Sequence, residues 1–246
     1  MQTPALNFNQ PIALFLDVDG TLLEFCNNPD DVYPGVELNL ILKSLSSLLK
    51  GALALVTGRR VLEIDRIFHP LQLPVGGQHG LEHRDAEGNF KLVKSLKFPE
   101  NIRSQIQCFG EIYPECAIED KSLTMAIHYR RAPKLEEKVL KFVNKLIEGE
   151  KHFHAISGNM VIEIKPLGVD KGQSIALFME NEPFVDKLPI FIGDDVTDED
   201  GFRYINANNG ISIKVGTRTS SLARYNLNNV NAVHDWLGSL CKEMGN

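Results

Sequence analysis

The feature that most constrains the fold of this chain is the stretch Asp17–Leu22, which reads Asp-Val-Asp-Gly-Thr-Leu and directly follows the apolar run Ile12–Leu16. Five consecutive apolar residues are typical of a strand buried on both faces of a parallel sheet. Open α/β sheets hold their ligands at the carboxyl ends of such strands, where Asp17 and Asp19 fall. Gly20 permits a sharp turn, and two carboxylates one residue apart can share a cation or divide nucleophile and acid roles. The alternative is an ordinary polar turn that caps a following helix.

The next two predicted elements bring a hydroxyl group toward this turn. Leucine and isoleucine recur at helical spacing between positions 38 and 49, and the apolar run Ala52–Val56 then indicates a second buried strand. Strand, helix and strand form a βαβ unit whose two parallel strands lie side by side. Thr57 follows the second strand and is therefore expected near Asp17, where its hydroxyl and the next backbone N–H can bind an anion.

A third strand end carries the largest group of carboxylates. The apolar run Leu188–Ile192 is followed by Asp194, Asp195 and Asp198, and Lys171 opens a helix earlier in the chain. Carboxylates that converge from different strands repel one another, and burying them without a partner is costly. Mg²⁺ resolves the conflict because it takes one or two carboxylates together with water and substrate phosphate.

Each of these features also has a plainer interpretation. Lys171 alone is typical of a solvated surface lysine, and the acidic run 194–200 is typical of an exposed helix start, where negative charge is favourable. The plainer interpretations would all have to be true at once. A single phosphate-binding site with a divalent cation explains all of these residues together. In that site Lys171 and Thr57 donate hydrogen bonds to phosphoryl oxygens.

Charge and composition argue against several classes of partner. With 26 Lys and Arg against 32 Asp and Glu the formal charge is −6, which disfavours nucleic acid and anionic membrane surfaces as partners. No apolar run approaches the roughly eighteen residues of a membrane span, and residues 1–11 show no secretory leader. The cysteines lack metal-binding spacing and are interpreted as reduced thiols of a cytoplasmic protein, at Cys26, Cys108, Cys116 and Cys241.

From about residue 97 the pattern changes to that of an inserted α+β module. Amphipathic spacing predicts helices after Pro99 and over Leu135–Ile147, and alternation predicts pairs of antiparallel strands within 117–129 and 154–165. Helix, two strands, helix and two strands form a compact unit, and such insertions commonly act as lids. We therefore predict a cap domain over 97–167 and a catalytic core formed by 1–96 and 168–246.

Taken together, the motifs resemble the four signatures of the haloacid dehalogenase (HAD) superfamily of aspartyl phosphotransferases. They are Asp17–Thr21, Thr57 in Val-Thr-Gly-Arg, Lys171, and Gly193–Asp198. The resemblance implies a Rossmannoid α/β core with a mainly parallel sheet, with Asp17 as the nucleophile. It also implies that Asp19 is the general acid/base, which protonates the leaving oxygen and then activates water.

The same resemblance implies two sets of ligand-binding residues. The catalytic residues would be Asp17, Asp19, Thr57 and Lys171, and the phosphorylated end of the substrate would meet Asp17, Val18, Asp19, Thr57, Gly58 and Arg59. Mg²⁺ would be bound directly by Asp17, the Asp19 carbonyl and Asp194, with Asp195 and Asp198 holding its waters.

Beyond the superfamily, the chain is similar over about residues 12–240 to the bacterial-type trehalose-6-phosphate phosphatases. That similarity rests on shorter motifs at 77–82 (Gly-Gln-His-Gly-Leu-Glu), 119–121 (Glu-Asp-Lys), 128–130 (His-Tyr-Arg) and 161–166 (Val-Ile-Glu-Ile-Lys-Pro). It implies that the inserted module is a C2-type cap whose Glu119, Lys121 and Glu163 meet the distal sugar. The alternative is that these three are surface charges on an exposed sheet face. His79 is interpreted as a structural histidine, the alternative being that it orients a loop or contacts the substrate. Gln78 is assigned no role.

The sequence therefore predicts a Mg²⁺-dependent phosphatase that hydrolyses trehalose 6-phosphate through an aspartyl-phosphate intermediate, the last step of trehalose biosynthesis. One alternative is another HAD sugar phosphatase, acting on sucrose 6-phosphate or mannosyl-3-phosphoglycerate. A second is a sugar-phosphate-binding regulator without turnover, which is disfavoured because the chain keeps both Asp17 and Asp19. The expected partner is a small sugar phosphate, and a monomer is compatible with the sequence.

Overall fold

The computed structural model describes residues 4–5, 10–25, 33–94, 96–217 and 220–245. The chain divides into two compact units, a core unit (Met1–Val93 with Asp170–Asn246) and a cap unit (Lys94–Val169). The limits inferred from the sequence differ from these by two or three residues. Pro29 and two aspartates predict a turn-rich loop at 27–34, and most of that segment lies outside the described residues.

The strands and helices follow one another in the order expected of an α/β core interrupted by an α+β insertion. The strands are β1 (Ile12–Leu16), β2 (Leu53–Val56), β3 (Val75–Gly77), β4 (Glu82–Arg84), β5 (Phe90–Leu92), β6 (Ala117–Asp120), β7 (Met125–His128), β8 (Phe153–Gly158), β9 (Val161–Pro166), β10 (Leu188–Gly193), β11 (Ile211–Val215) and β12 (Tyr225–Leu227). The helices are α1 (Val36–Leu48), α2 (Val61–Ile67), α3 (Glu100–Ile112), α4 (Glu136–Leu146), α5 (Lys171–Met179), α6 (Glu199–Ala207) and α7 (Val230–Gly245).

One eight-stranded sheet organises the core unit, in the order β12-β11-β10-β1-β2-β3-β4-β5. The strands from β12 to β3 are parallel to their neighbours, and β4 and β5 continue the sheet as an antiparallel hairpin at one edge. The predicted mainly parallel sheet is therefore confirmed. Strand β1 lies between β10 and β2, with Leu16 opposite Ile192 and Leu55.

Burial explains why these segments form the centre of the sheet. All residues of β1 and β2 are buried, as continuous apolar runs require when helices cover a parallel sheet. Helix α1 packs its apolar face into this core through Leu38, Leu42 and Leu45, which recur at helical spacing. Because the three central strands run in the same direction, the residues after Leu16, Val56 and Gly193 emerge at one edge of the sheet.

The cap unit has its own sheet and its own apolar core. Its four antiparallel strands lie in the order β6-β7-β9-β8. Buried side chains of α3 and α4, including Ile102, Ile106, Val139 and Val143, join the apolar cluster of this unit. In the register of the sheet Glu119 lies opposite Ala126, and Ala126 opposite Glu163. The predicted α+β architecture of the insertion is confirmed.

The sequence around Trp236 and Leu237 predicts short helices that close the core domain, and the structure differs from this prediction in two details. Residues 225–227 form β12, a strand too short to produce a recognisable sequence pattern, and the following segment is one 16-residue helix, α7. The helix continues because Val230, Val233, Leu237 and Leu240 keep one face buried along its length.

Among the described residues no helix is both long and apolar enough to cross a membrane. Cys108, Cys116 and Cys241 are free thiols, and Cys26 lies outside the described residues.

A histidine is buried on strand β4 of the core unit. His83 on β4 is 5% exposed, and its ring lies 4.4 Å from that of Phe178, centroid to centroid. Its Nδ1 has no hydrogen-bond partner within the described part of the chain. Burial, reinforced by the positive charge of Lys91, lowers the pKa of His83 to about 4, so the folded protein keeps the imidazole neutral.

We expect the free energy of unfolding to fall as the pH is lowered from about 6.5 toward 4, because the unfolded chain then binds a proton that folded His83 does not. The full loss is on the order of 3 kcal/mol. In His83→Phe, which keeps a ring against Phe178, this part of the pH dependence should disappear. The measurement is urea unfolding at a series of pH values, with exposed His152→Gln as the control that should behave like the wild type.

Candidate active site

The carboxyl ends of β1 and β10 and the start of α5 meet at a buried lysine. Lys171 is the first residue of α5 and is 3% exposed. Its Nζ donates to Asp17 Oδ1 at 2.7 Å and to Asp198 Oδ1 at 2.6 Å. Asp170 caps the helix by accepting a hydrogen bond from the Gln173 backbone N–H, which fixes the direction in which Lys171 enters the site.

Asp198 organises the loop that follows β10. While its Oδ1 accepts from Lys171, its Oδ2 accepts from the backbone N–H groups of Asp194 and Asp195, both at 2.9 Å. A side chain on Gly193 would place Cβ 2.4 Å from Asp198 Cγ, so this close turn requires glycine. Asp195 instead caps the short 3₁₀ turn that contains Asp198. Both oxygens of Asp198 are therefore engaged within the protein.

Three carboxylates form a candidate cation site at this point. Asp17, Asp194 and Asp198 each offer an oxygen, and these oxygens all lie within 4.8 Å of one another. Asp194 Oδ1 is buried and, in the described ranges, has no hydrogen-bond partner. An unsatisfied carboxylate oxygen beside two further carboxylates is a donor set suited to a hard divalent cation such as Mg²⁺.

The pKa directions agree with this interpretation. Burial raises the pKa of Asp17, against the opposing charge of Lys171. Burial also raises the pKa of Asp194, with the neighbouring Asp17 and Asp198 charges adding to the effect. Although burial alone would lower it, the pKa of Lys171 is raised by Asp17 and Asp198. Lys171 alone thus leaves an excess of negative charge among the three carboxylates, which a cation would neutralise.

The turn after β1 is shaped to admit Asp194. Gly20 has a φ of +80°, a left-handed conformation that glycine adopts without strain. A Cβ on Gly20 would lie 2.3 Å from Asp194 Oδ2. Both the backbone conformation and the approach of the carboxylate therefore require glycine at this position.

Arg59 contacts Asp19 with two hydrogen bonds. Its Nε donates to Asp19 Oδ2 at 2.8 Å, and its Nη2 donates to Asp19 Oδ1 at 2.6 Å. The Arg59 side chain is 9% exposed and that of Asp19 is 30% exposed. Thr57 is fully buried, and its hydroxyl accepts from the Arg59 backbone N–H at 3.1 Å. The structure thus brings together Asp19, Thr57 and Arg59, and it shows Arg59 holding the carboxylate that the sequence assigns to acid/base chemistry.

A second buried lysine in this region was not predicted. Lys214 on β11 is 1% exposed, and its Nζ donates to the backbone carbonyl of Asp194 at 2.8 Å. It therefore adds positive charge near the carboxylates and fixes the backbone from which Asp194 extends. A lysine within the otherwise strand-like run Ile211–Val215 is the only sequence signal for it.

In the cap unit one sheet face gathers the polar residues inferred from the sequence. Lys121 Nζ lies 3.1 Å from Glu163 Oε2 and 3.8 Å from Glu119 Oε2, and Lys121 and Glu163 are buried. His128, to which the sequence assigned no site role, lies 2.8 Å from Glu119 Oε2 through its Nε2. Burial alone would raise the pKa of Glu119, but the hydrogen bond from His128 and the charge of Lys121 lower it. The three predicted residues lie together in one cluster of acidic and basic side chains.

Solved structures define the class of the fold. The chain is similar to a phosphatase of the haloalkanoate (HAD) superfamily from Bacteroides thetaiotaomicron, with a TM-score of 0.59 and 16% identity over 96% of both chains. It is also similar to the C-terminal domain of Candida albicans trehalose-6-phosphate phosphatase, with a TM-score of 0.83 and 24% identity over 95% of this chain and 93% of that one. The protein therefore has the HAD fold.

Sequence comparison then defines the family. The family model described as trehalose-phosphatase matches residues 15–231. Trehalose-6-phosphate phosphatase of Escherichia coli K12 is 36% identical over 237 residues, covering 96% of this chain and 88% of that protein. The chain belongs to the trehalose-phosphatase family and is a phosphoric monoester hydrolase. The resemblance inferred from the motifs is confirmed.

Proposed function

We propose that this phosphatase hydrolyses trehalose 6-phosphate to trehalose and phosphate with the help of Mg²⁺. The observation that carries the proposal is the bridge from Lys171 to Asp17 and Asp198 at the sheet edge, beside an unsatisfied Asp194 oxygen. The substrate is supported by the Escherichia coli relative, whose name specifies trehalose 6-phosphate.

In the proposed reaction Asp17 is the nucleophile and Asp19 the proton carrier. A carboxylate oxygen of Asp17 attacks phosphorus, the bond from phosphorus to the sugar oxygen breaks, and Asp19 gives that oxygen its proton. Water then attacks the phosphorus of the aspartyl phosphate while Asp19 takes up one of its protons. The Asp17–phosphorus bond breaks, and phosphate and the free carboxylate are released.

Other residues of the site hold these groups in place. Lys171 favours the ionised, nucleophilic form of Asp17 and orients it through a 2.7 Å hydrogen bond. Asp17 and Asp194 would hold Mg²⁺ together with the Asp19 carbonyl, and Asp195 and Asp198 would support the ion from farther away. When bound, the ion supplies positive charge that offsets the clustered carboxylates and phosphoryl oxygens. The Thr57 hydroxyl binds a phosphoryl oxygen.

Chelation is expected to silence the enzyme, and added Mg²⁺ to restore it. Mg²⁺ should also raise the unfolding temperature of the wild type, because it binds the folded state. Asp194→Asn should lose most of this shift while remaining at least as stable in EDTA, since it removes an unfavourable buried charge. Asp235→Asn, the same change at an exposed position on α7, is the matched control. Full activity in excess EDTA would rule out the metal requirement.

We further propose that Glu119, Lys121 and Glu163 bind the sugar remote from the phosphate. Charged side chains make strong hydrogen bonds to sugar hydroxyls, and the ion pairs among the three hold them ready for a neutral ligand. The bland alternative, three unrelated surface charges, is disfavoured because Lys121 and Glu163 are buried.

Kinetic measurements on several substrates test both the sugar-binding role of these three residues and the identity of the substrate. Glu119→Ala, Lys121→Ala and Glu163→Ala should each lose kcat/KM toward trehalose 6-phosphate by roughly 5- to 150-fold, equivalent to about 1–3 kcal/mol. Hydrolysis of p-nitrophenyl phosphate, which has no second sugar, should change little. Sucrose 6-phosphate and mannosyl-3-phosphoglycerate complete the panel, and a preference of the wild type for either would replace the proposed substrate.

A further inference from the structure

We propose that the segment Gly77–Glu82, here called the brace, positions the loop Thr57–Arg60 for catalysis, with Glu82 and Gln78 as its positioning residues. Neither side chain is part of the reaction described above. The inference rests on the proposed function, because it takes Thr57 and Arg59 to act on the phosphoryl group and on Asp19.

Backbone hydrogen bonds join the brace and the preceding strand to this loop at three successive points. The Thr57 N–H donates to the carbonyl of Gly76, the Gln78 N–H donates to that of Arg59, and the His79 N–H donates to that of Thr57, all at 2.9 Å. The loop is therefore hydrogen-bonded on both sides of Gly58. A change in the path of the brace must move Thr57 and Arg59 with it.

The brace adopts a costly backbone conformation to make these bonds. Gln78 and His79 have φ values of 46° and 55°, a left-handed region that non-glycine residues seldom occupy, and both are buried. Such conformations are unfavourable and persist where the surroundings impose them. The His79 ring also fits closely against the loop, since a Cβ on Gly58 would lie 2.7 Å from its Nε2.

Glu82 links the brace to the far end of the loop. Its carboxylate is buried; Oε1 accepts from Gln78 Nε2 and Oε2 accepts from the Val61 backbone N–H, both at 2.6 Å. Val61 is the first residue of α2, so Glu82 satisfies a free N–H group at the helix start and fixes where the loop ends. Arg60 Nε lies 3.9 Å from Oε1 and contributes positive charge to this buried carboxylate.

The contacts continue from the brace to the proposed acid/base. The loop carries Arg59, whose side chain donates two hydrogen bonds to Asp19. Displacement of the loop therefore alters both the Thr57 hydroxyl and the support of Asp19. Because misplacement of catalytic groups by about 1 Å can cost roughly 100-fold in rate, a remote carboxylate can have a large kinetic effect.

A neighbouring ion pair provides a control that distinguishes a positioning role of Glu82 from a purely stabilising one. Arg84 on β4 binds Asp65 on α2, with Nη1 2.6 Å from Asp65 Oδ1. This pair joins the same two elements as Glu82 and Val61. The hydrogen bonds of Arg84 go to Asp65 and to the Leu73 carbonyl, and neither residue belongs to the brace or to the loop. Asp65→Asn is therefore the matched control, since it weakens the attachment of α2 to β4 without touching the loop.

The experiment compares Glu82→Gln with Asp65→Asn in the full-length enzyme. For Glu82→Gln we expect kcat/KM to fall about 10- to 100-fold, equally for trehalose 6-phosphate and p-nitrophenyl phosphate, with both kcat and KM affected. The inhibition constant of orthophosphate should rise as well. Asp65→Asn should lower the unfolding temperature while leaving these constants within about twofold. If Glu82→Gln does not fold, Gln78→Met is measured in its place.

Exchanging the hydrogen-bond donor and acceptor between positions 78 and 82 should rescue the activity lost in Glu82→Gln. In the double variant Gln78→Glu with Glu82→Gln, the new amide can donate to the new carboxylate while its oxygen still accepts from Val61, so most of the lost kcat/KM should return. Kinetic constants of Glu82→Gln or Gln78→Met that match those of Asp65→Asn would overturn the proposal. If the wild type hydrolyses p-nitrophenyl phosphate but not trehalose 6-phosphate, the substrate assignment is overturned. The role of the brace is then tested by the same comparison of variants with p-nitrophenyl phosphate.

Discussion

Asp17→Asn is expected to abolish phosphate release while leaving the fold intact. The amide has the volume of the carboxylate, and its oxygen can still accept the hydrogen bond from Lys171 Nζ. The amide cannot act as the anionic nucleophile, so the aspartyl-phosphate intermediate cannot form. Loss of a nucleophile in comparable enzymes costs more than about 10⁴-fold in kcat.

The measurement is phosphate release by the purified variant, with its unfolding temperature followed in parallel. Asp235→Asn, the same chemical change at an exposed position on α7, should retain full activity. Rapid quenching of the wild type during turnover should trap phosphate on Asp17, and the variant should trap none. Wild-type rates in Asp17→Asn would exclude the aspartyl-phosphate mechanism.

Lys171→Met is expected to damage both catalysis and stability. The substitution leaves Asp17 and Asp198, which are 4% and 0% exposed, without their shared cation. Removing one partner of a buried ion pair typically costs about 3–5 kcal/mol, because the remaining charge stays buried. Activity should fall by several orders of magnitude, since Asp17 would be protonated or misdirected at neutral pH.

A second substitution separates the two effects. Adding Asp198→Asn to Lys171→Met removes one of the stranded charges and should restore part of the stability without restoring turnover. Lys141→Met is the control, because Lys141 pairs with Glu137 on an exposed face where both side chains are more than three-quarters accessible. Exposed pairs contribute roughly 0–1 kcal/mol. An equal loss of stability in Lys141→Met and Lys171→Met would contradict the role given to the buried bridge.

Much of this architecture follows from the sequence because it depends on local pattern. Continuous apolar runs ending in polar residues predicted β1, β2 and β10, and the parallel βαβ rule placed Asp17, Thr57 and Asp194 at one edge. The amphipathic spacing of α3 and α4 likewise predicted the insertion. These inferences need only the neighbours of each residue along the chain.

Pairings between distant side chains were beyond this kind of reasoning. The two hydrogen bonds between Arg59 and Asp19, the contact of Lys214 with the Asp194 carbonyl, and the approach of His128 to Glu119 depend on rotamers and strand register. The brace was recognised only as a motif, since no pattern predicts two consecutive left-handed residues at Gln78 and His79. Strain of this kind is set by the tertiary surroundings.

The bridge from Lys171 to Asp17 has a consequence for how the protein is made. The two residues are separated by 154 positions, and strand β1, which Asp17 directly follows, pairs with β10, which is synthesised later still. During translation Lys171 is therefore synthesised only after the whole cap unit, and until then Asp17 cannot form its ion pair with this lysine. The cap unit has its own apolar cluster and can gain structure during that interval. A chain truncated before residue 171 would lack this lysine, so it could form neither the bond to Asp17 nor the bond to Asp198.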